Sequence, residues 1–243
     1  MLSFKSLSVF SKRLTVLLIF ISSIFSARGT VNVDKSRIIF SSGELTANLS
    51  LHNSDKEPVL VQLWTDAGNP FTTTDKARTP VLVNSPILKM QPNELRNIRL
   101  LLVSTDKLPQ NKESLFWLNI YQIPPNTNQA SKGNEKLILP LRIRLKIFVR
   151  PNLVSDITPE NYKEISFLKV DSDTVRITNP TKWYITISSL TISGVKQKPV
   201  LLEPFSHVSV HVPNDIYKKE SVTFDVIDDA GVIHKCKSVI NKS

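Results

Sequence analysis

A strict alternation of residue types is the strongest pattern in the chain. Between residues 137 and 146 one face is wholly apolar, and it carries Leu137, Leu139, Leu141, Ile143 and Leu145. The opposite face carries Ile138, Pro140, Arg142, Arg144 and Lys146. A repeat of two residues over this length predicts a β-strand with one apolar face. Such a face is either ordinary core or a surface that pairs with another chain, and the pattern alone favours core.

A second strand is predicted just before the alternating segment. Residues 113–125, ESLFWLNIYQIPP, form an apolar run that ends at two prolines. The polar residues 126–136 then lead into the alternating strand. The two strands and the short loop between them are typical of a β-hairpin.

The rest of the chain shows short strand patterns separated by turn residues, with almost no helical periodicity. The first half predicts strands at 31–40, 45–52, 59–64, 81–83 and 96–103. The second half predicts strands at 165–170, 174–178, 183–190, 208–212, 221–227 and 232–234. A polar, proline-containing segment, 153–161, separates the halves. We therefore predict an all-β protein of two immunoglobulin-like β-sandwich domains, residues 28–151 and 152–243.

The N-terminal 27 residues have the pattern of a secretory signal peptide. Lys5, Lys12 and Arg13 precede a short apolar run, 14–25, which is too short to span a bilayer. We expect cleavage after Ala27 and export of the mature chain. The alternative is a buried N-terminal helix, but no charged face follows to make it amphipathic.

Charge and cysteine content narrow the class further. The chain carries 31 Lys and Arg against 21 Asp and Glu, a formal net charge of +10. Its basic residues are scattered and form no nucleic-acid-binding motif, so export and pattern both argue against a nucleic-acid partner.

Its one cysteine, Cys236, cannot form an internal disulfide, so two hydrophobic cores must hold the fold together. Cys236 is either a small buried residue or a free thiol.

No catalytic, cofactor or metal motif is present in the sequence. The chain lacks a Gly-x-Ser-x-Gly elbow, a glycine-rich phosphate loop and a His-Glu-x-x-His site. His207 and His211 would share a strand face about 13 Å apart at ~3.3 Å per residue, too far for one metal ion. Asp228 and Asp229 are adjacent and fit a turn better than a carboxylate pair. An enzyme is therefore the least favoured class, and we expect no cofactor and no metal.

Several separated segments together resemble the periplasmic pilus (fimbrial) chaperones, the PapD-like proteins. The first half contributes VNVDKSRIIF, ESLFWLNIYQIPP and the ending LKIFVRP. The second half contributes RITNPTKWYITISSL and IDDAGV, so the resemblance covers essentially the whole mature chain. It implies two immunoglobulin-like domains set at an angle, a boomerang with a cleft between them.

The resemblance also implies a function. Family members capture fimbrial subunits that lack their last strand, and they lend their own edge strand until an outer-membrane usher receives the subunit. The lent strand covers apolar surface and unpaired backbone that would otherwise aggregate. The family works in the periplasm without ATP or a cofactor. When unoccupied, its exposed apolar strand would favour self-association.

Three sets of site residues follow from the resemblance. Arg37, in D-x-x-R, and Lys146, in K-x-F-x-R-P, match a basic pair that binds the subunit's C-terminal carboxylate. The family's donor-strand positions match Leu137, Leu139, Leu141 and Ile143, and Leu145 continues the row. The residues matched to a buried charge network between the domains are Arg99, Glu113 and Asp229.

Two features depart from the family pattern. Cys236 cannot form the second-domain disulfide that many members have, and Pro140 lacks an N–H in the middle of the predicted donor strand. The short loop 126–136 resembles the short-loop branch of the family, associated with rod-like pili. The alternative function is that of an exported immunoglobulin-like adhesion or structural module. It is less favoured, because such a module would need neither the basic pair nor an exposed leucine row.

Overall fold

The computed structural model describes residues 31–123, 140–213 and 220–242 of the 243-residue chain. The predicted signal peptide, the hairpin loop 126–136, and the donor residues Leu137 and Leu139 lie outside the described residues. Within the described ranges, no helix is long and apolar enough to cross a bilayer.

The first domain is built from two sheets. Its described strands are β1 (Val31–Val33), β2 (Arg37–Phe40), β3 (Thr46–Asn53), β4 (Val59–Asp66), β5 (Val81–Val83), β6 (Ile87–Met90), β7 (Leu95–Leu102), β8 (Ser114–Ile123) and β9 (Leu141–Val149). One sheet has the order β1-β3-β7-β5, and the other has the order β2-β9-β8-β4-β6. The predicted strand 31–40 is divided between them, because the chain leaves the first sheet after Val33 and enters the second at Arg37.

Within the described residues, the second domain begins with a 3-10 helix, Pro159–Glu164, and its other regular elements are strands. Its strands are β10 (Ser166–Lys169), β11 (Thr174–Asn179), β12 (Ile185–Ile192), β13 (Val195–Gln197), β14 (Val200–Leu202), β15 (Ser206–His211), β16 (Ser221–Ile227) and β17 (Ile233–Lys242). They form one eight-stranded network, β13-β12-β16-β17-β10-β11-β15, with β14 beside β12. The predicted all-β architecture of two sandwiches is confirmed.

Each domain has its own hydrophobic core. The first core centres on fully buried residues such as Phe40, Leu63 and Leu118, and the second on residues such as Phe167 and Ile177. Burying one such side chain stabilises the fold by about 1.5–3 kcal/mol. Because side chains alternate between the two faces of a strand, the apolar face of each sheet packs inward and forms the core of its domain.

The lone cysteine lies at the rim of the second core. Cys236 is half-buried and packs against that core, and its Sγ lies 3.8 Å from the carbonyl oxygen of His234. Burial, followed by the charge of Asp225, raises the pKa of the thiol, so the neutral form is favoured. Cys236 therefore acts as a small packing residue.

Strand β9 is paired along only part of one edge. On one side β8 accompanies it along its full length, from Leu141 opposite Gln122 to Val149 opposite Ser114. On the other side β2 runs parallel to it, but only beside residues 146–149. Among the described strands, none covers the edge of residues 141–145 on that side. Within the described residues, this part of β9 is therefore an open strand edge.

The apolar face of β9 changes from buried to exposed along the strand. Leu145 is 6% exposed and belongs to the first core, Ile143 is half-buried against that core, and Leu141 is 45% exposed. The prediction that the apolar row is ordinary core is therefore correct at Leu145 and wrong at Leu141. Pro140 precedes the described strand, so its missing N–H removes no hydrogen bond from the part of the β8–β9 ladder that the structure describes.

Candidate functional site

Arg37 and Lys146 lie directly opposite each other in the parallel register of β2 and β9. Register partners in neighbouring strands point to the same face, so both side chains emerge together where the open edge of β9 meets β2. The local sequence explains this placement, because β2 begins at Arg37 and alternation along β9 puts Lys146 on the polar face. The structure therefore brings the two predicted residues together.

Arg37 is held by the second domain. Its side chain is only 7% exposed, and its Nη1 donates a hydrogen bond of 2.9 Å to the carbonyl oxygen of Ile227. The guanidinium carbon lies 5.9 Å from the centre of the Phe148 ring. Its Nε is buried and has no partner within the described part of the chain. A buried, unused donor on a cation is the kind of group that an incoming anion satisfies.

Lys146 completes a positive site. Its Nζ lies 5.2 Å from the centre of the Trp117 ring and forms no ion pair with any residue in the described ranges. Burial lowers the pKa of Lys146, and the neighbouring charge of Arg37 lowers it further. Burial also lowers the pKa of Arg37, against the opposing charges of Asp229 and Asp228. Two desolvated cations side by side are stabilised by an added carboxylate.

A second charge cluster joins the two domains around Arg150. This side chain is 2% exposed, and its Nε donates to Oε1 of Glu113 at 2.8 Å. Its Nη1 and Nη2 donate to the two carboxylate oxygens of Asp229 at 2.7 and 2.9 Å. Glu113 also accepts the backbone N–H of Tyr184 at 2.8 Å. The cluster fixes the start of β8 and the end of β9 against the second domain.

Burial of Glu113 and Arg150 shifts the pKa values of both groups. Burial raises the pKa of Glu113 to about 7, although Arg150 and the Tyr184 amide favour its charged form. Burial alone would lower the pKa of Arg150, but its bonds to Asp229 and Glu113 outweigh this and raise it. Arg150 therefore stays charged, and the buried Glu113 carboxylate depends on it.

Arg99 is not part of this cluster, which corrects the predicted network. Its side chain is exposed on β7, and it forms no ion pair with any residue that the structure describes. Its neighbours Ile98 and Leu100 are buried, and successive strand residues point to opposite faces, so their burial forces Arg99 outward. Arg150 takes the place that was assigned to Arg99. The sequence pattern that could have identified Arg150 is the alternation that continues after Lys146, because it puts Arg150 on the same face as Lys146.

The outer face of β9 carries a further set of contacts that the sequence did not indicate. The carboxylate of Asp66, which is fully buried, accepts Nη2 of Arg144 at 2.7 and 3.0 Å and an amide hydrogen of Asn119 at 2.6 Å. The Arg144 guanidinium stacks 4.6 Å from the Trp117 ring, and that of Arg142 lies 4.8 Å from the Trp64 ring. Both arginines therefore reach across β8 towards β4, away from the open edge, and hold β9 on its sheet.

The remaining candidates have local roles. Oδ1 of Asp228 accepts the backbone N–H of Val232 at 2.8 Å, which is turn chemistry. His207 and His211 are exposed on β15, and Nδ1 of His211 lies 3.3 Å from Asp173. Within the described residues, no three His, Cys, Asp or Glu side chains are grouped to hold a metal ion.

Comparison with known proteins identifies the family. The model of the pili and flagellar-assembly chaperone, PapD N-terminal domain, matches residues 30–155. The model of the pili assembly chaperone PapD, C-terminal domain, matches residues 160–238. Chaperone protein MrkB of Klebsiella pneumoniae is 30% identical over 224 residues, which cover 90% of this chain and 95% of that protein.

Solved structures give the same fold. The crystal structure of the YadV chaperone, a probable fimbrial chaperone of Escherichia coli, matches with a TM-score of 0.71 and 25% identity, over 87% of this chain and 100% of that one. The SafB chaperone of Salmonella enterica, solved in complex with the SafA pilin, matches with a TM-score of 0.74 over 88% of this chain and 98% of that one. At 23% identity the latter supports the fold alone. The chain therefore belongs to the PapD family of periplasmic pilus-assembly chaperones, which are binding proteins and not enzymes.

Proposed function

We propose that this protein captures pilus subunits by adding the open edge of β9 to the subunit's incomplete sheet, while Arg37 and Lys146 bind the subunit's C-terminal carboxylate. The observation that supports this most strongly is the position of the basic pair at the end of the open edge. An edge alone would accept any strand, and a basic pair alone any anion. Together they select a strand that ends in a free carboxylate.

The direction of the captured strand follows from β2. This strand already runs parallel to β9 beside residues 146–149, and it begins at Arg37. A subunit strand laid along the open edge in the same direction would end at Arg37, with its carboxylate beside the unused Nε. A strand laid in the opposite direction would bring its other end to the two cations. Carboxylate recognition therefore requires parallel pairing.

The exposed part of the apolar row supplies the side chains that enter the subunit. Leu141 is exposed and Ile143 is half-buried, whereas Leu145 already belongs to the chaperone's own core. The row would continue through Leu137 and Leu139. Each leucine that becomes buried in the subunit's groove adds about 1.5–3 kcal/mol of apolar burial, while the backbone edge supplies hydrogen bonds.

Export and delivery complete the function. We take residues 1–27 to be a cleaved signal peptide that sends the chain to the periplasm, and residues 28–151 and 152–243 to be the two domains of the mature protein. The loaded chaperone passes its subunit to an outer-membrane usher. The assignment of the chain to the short-loop branch of the family rests on the length of loop 126–136, and it stays a prediction.

Co-expression with the pilus-subunit genes next to the chaperone gene tests this function. The mass of the intact complex purified from the periplasm should correspond to one chaperone and one subunit. Arg37→Ala and Lys146→Ala should abolish the complex and leave a folded chaperone, since loss of a charge-assisted hydrogen bond typically costs about 1.5–3 kcal/mol. Lys89→Ala removes an exposed cation elsewhere and should leave the complex intact. A normal yield of complex with Arg37→Ala would overturn the carboxylate mechanism.

A further inference from the structure

Each cation of the carboxylate site lies against an aromatic ring of the first domain. The guanidinium carbon of Arg37 is 5.9 Å from the centre of the Phe148 ring, and Nζ of Lys146 is 5.2 Å from the centre of the Trp117 ring. Arg37 has a second partner, because its Nη1 also donates to the carbonyl oxygen of Ile227. For the Lys146 ammonium, the Trp117 ring is the only attractive partner in the part of the chain that the structure describes.

The pairing of β8 with β9 sets the contact between this ring and the ammonium. Trp117 and Lys146 are register partners in the antiparallel ladder, so their side chains leave the sheet on the same face, next to each other. Arg144 lies on that face too, and its guanidinium carbon is 4.6 Å from the centre of the same ring. Arg144 is itself bound to both carboxylate oxygens of Asp66, at 2.7 and 3.0 Å. The ring therefore packs against a guanidinium that an ion pair holds in place.

The charges around Lys146 disfavour its ammonium. Arg37 is its register partner in β2, and Arg144 precedes it by two residues on the same face of β9. Burial lowers the pKa of Lys146, and the charge of Arg37 lowers it further. An aromatic face attracts a cation through its quadrupole, and the attraction is stronger where water is excluded. The Trp117 ring therefore offsets part of this unfavourable environment and gives the ammonium a defined place.

We propose that Trp117 is a positioning residue of the carboxylate site, because its ring holds the Lys146 ammonium beside Arg37 before the subunit strand arrives. This inference rests on the proposed function. Without the ring, the flexible side chain of Lys146 would turn away from Arg37, and carboxylate binding would then have to order it. Strand pairing along the open edge should be unaffected, since Trp117 belongs to β8, on the other side of β9.

The experiment uses the full mature chain and a synthetic peptide of the final strand of the co-purified subunit, prepared as the free acid and as the C-terminal amide. The ratio of the two affinities measures the preference for the free acid. Trp117→Leu removes the ring and keeps an apolar side chain, so this preference should fall about fivefold, which corresponds to about 1 kcal/mol. Trp117→Phe keeps an aromatic face and should lose less than about twofold. No loss in Trp117→Leu, or an equal loss in both variants, would overturn the proposal.

Trp64→Leu is the matched control. The Trp64 ring lies 4.8 Å from the guanidinium carbon of Arg142, so this substitution removes the same kind of ring–cation contact from the same sheet. Because this contact is not made with Arg37 or Lys146, the preference for the free acid should be that of the unmodified protein. A loss as large as that of Trp117→Leu would assign the effect to general loosening of the sheet and overturn the positioning role.

Two further measurements test whether Trp117 acts through Lys146. In a Lys146→Ala protein, adding Trp117→Leu should leave the remaining preference for the free acid unchanged, and a further loss would overturn the proposal. Nuclear magnetic resonance of the unmodified protein applies even if Trp117→Leu does not fold. The methylene protons next to Nζ of Lys146, assigned with Lys146→Arg, should be shifted upfield by the ring current of the indole. Shifts equal to those of the exposed Lys89 would overturn the proposal.

The single substitutions of the basic pair distinguish failure of this inference from failure of the proposed function. If Lys146→Ala reduces the preference for the free acid while Trp117→Leu does not, the anchor is real and the positioning role is wrong. If Lys146→Ala and Arg37→Ala both keep the full preference, the carboxylate mechanism itself is wrong.

Discussion

Arg37 and Lys146 are register partners on one face of a parallel strand pair, and no carboxylate within the described ranges pairs with either. Like charges directly opposite each other normally destabilise a sheet. Binding of an anion by this pair, as proposed above, would offset that cost.

The first prediction concerns pH. Only charged Lys146 attracts a carboxylate, so its contribution to binding is fully present below its pKa and is lost as pH rises through that value. Burial and the charge of Arg37 lower this pKa from 10.5, so the loss should begin at a lower pH than for an exposed lysine. Titration of free-acid peptide binding from neutral to alkaline pH would measure it.

Lys146→Arg provides the control for that titration, because an arginine keeps its charge throughout the range. Its binding should lack the alkaline loss, whatever its affinity at neutral pH. The same decline in both proteins would assign the pH dependence to another group.

The second prediction divides the apolar row of β9. Leu141→Asp changes a side chain that is 45% exposed, so the chaperone should stay folded but lose the subunit, whose groove would receive an unpaired charge. Leu145→Asp puts the same charge into the first core, where exposure is 6%, and should unfold that domain. Circular dichroism and subunit co-purification together distinguish the two results. A Leu141→Asp protein that still forms the complex would exclude this residue from the donor strand.

The third prediction concerns the interdomain cluster. Glu113→Ala removes a partner of Arg150 Nε and of the Tyr184 N–H, while Arg150 keeps its bonds to Asp229 and Asp156. Each buried donor left without a partner typically costs about 1–3 kcal/mol. Urea unfolding should show a loss of this size. Glu160→Ala breaks the exposed pair with Lys163 and should change stability by less than about 1 kcal/mol. Equal effects of the two substitutions would contradict the role assigned to the cluster.

The fourth prediction tests how β9 is held on its sheet. Asp66→Asn removes the negative charge that Arg144 binds through two contacts, so the strand should loosen where β2 does not cover it. Hydrogen exchange of the amides at residues 141–145 should become faster, while exchange in the second domain is unchanged. Unchanged protection of residues 141–145 would show that pairing with β8 is sufficient.

Alternation along strands predicted the fold and part of the site. It placed Lys146 on the polar face of β9 and identified the apolar row on the opposite face, of which Leu141 is exposed. These assignments need no tertiary information, because successive side chains of a strand point to opposite faces. The same rule, applied to β7, would have placed Arg99 on the surface. Apolar neighbours in a strand indicate exposure of the residue between them, whereas the resemblance to the family had implied a buried Arg99.

Other features depended on contacts that no local pattern encodes. Asp66 is bound by Arg144, 78 positions away, and by Asn119, 53 positions away, so its burial has no signal in its own segment. The division of residues 31–40 between two sheets also depends on which partner strand each half meets. Contacts between residues so far apart in the sequence depend on the packing of the whole β-sandwich.

The partial coverage of β9 by β2 has a mechanical consequence. Since β2 already fills the edge from Arg37 onward, a strand that slides along β9 can advance no further than the first residue of β2. The chaperone's own backbone is therefore a physical stop that fixes where the last residue of an added strand must lie. Slippage of the added strand by one residue would leave a gap before the first residue of β2 or cause a collision with it. The backbone of β2 therefore limits the register of the added strand independently of its side chains.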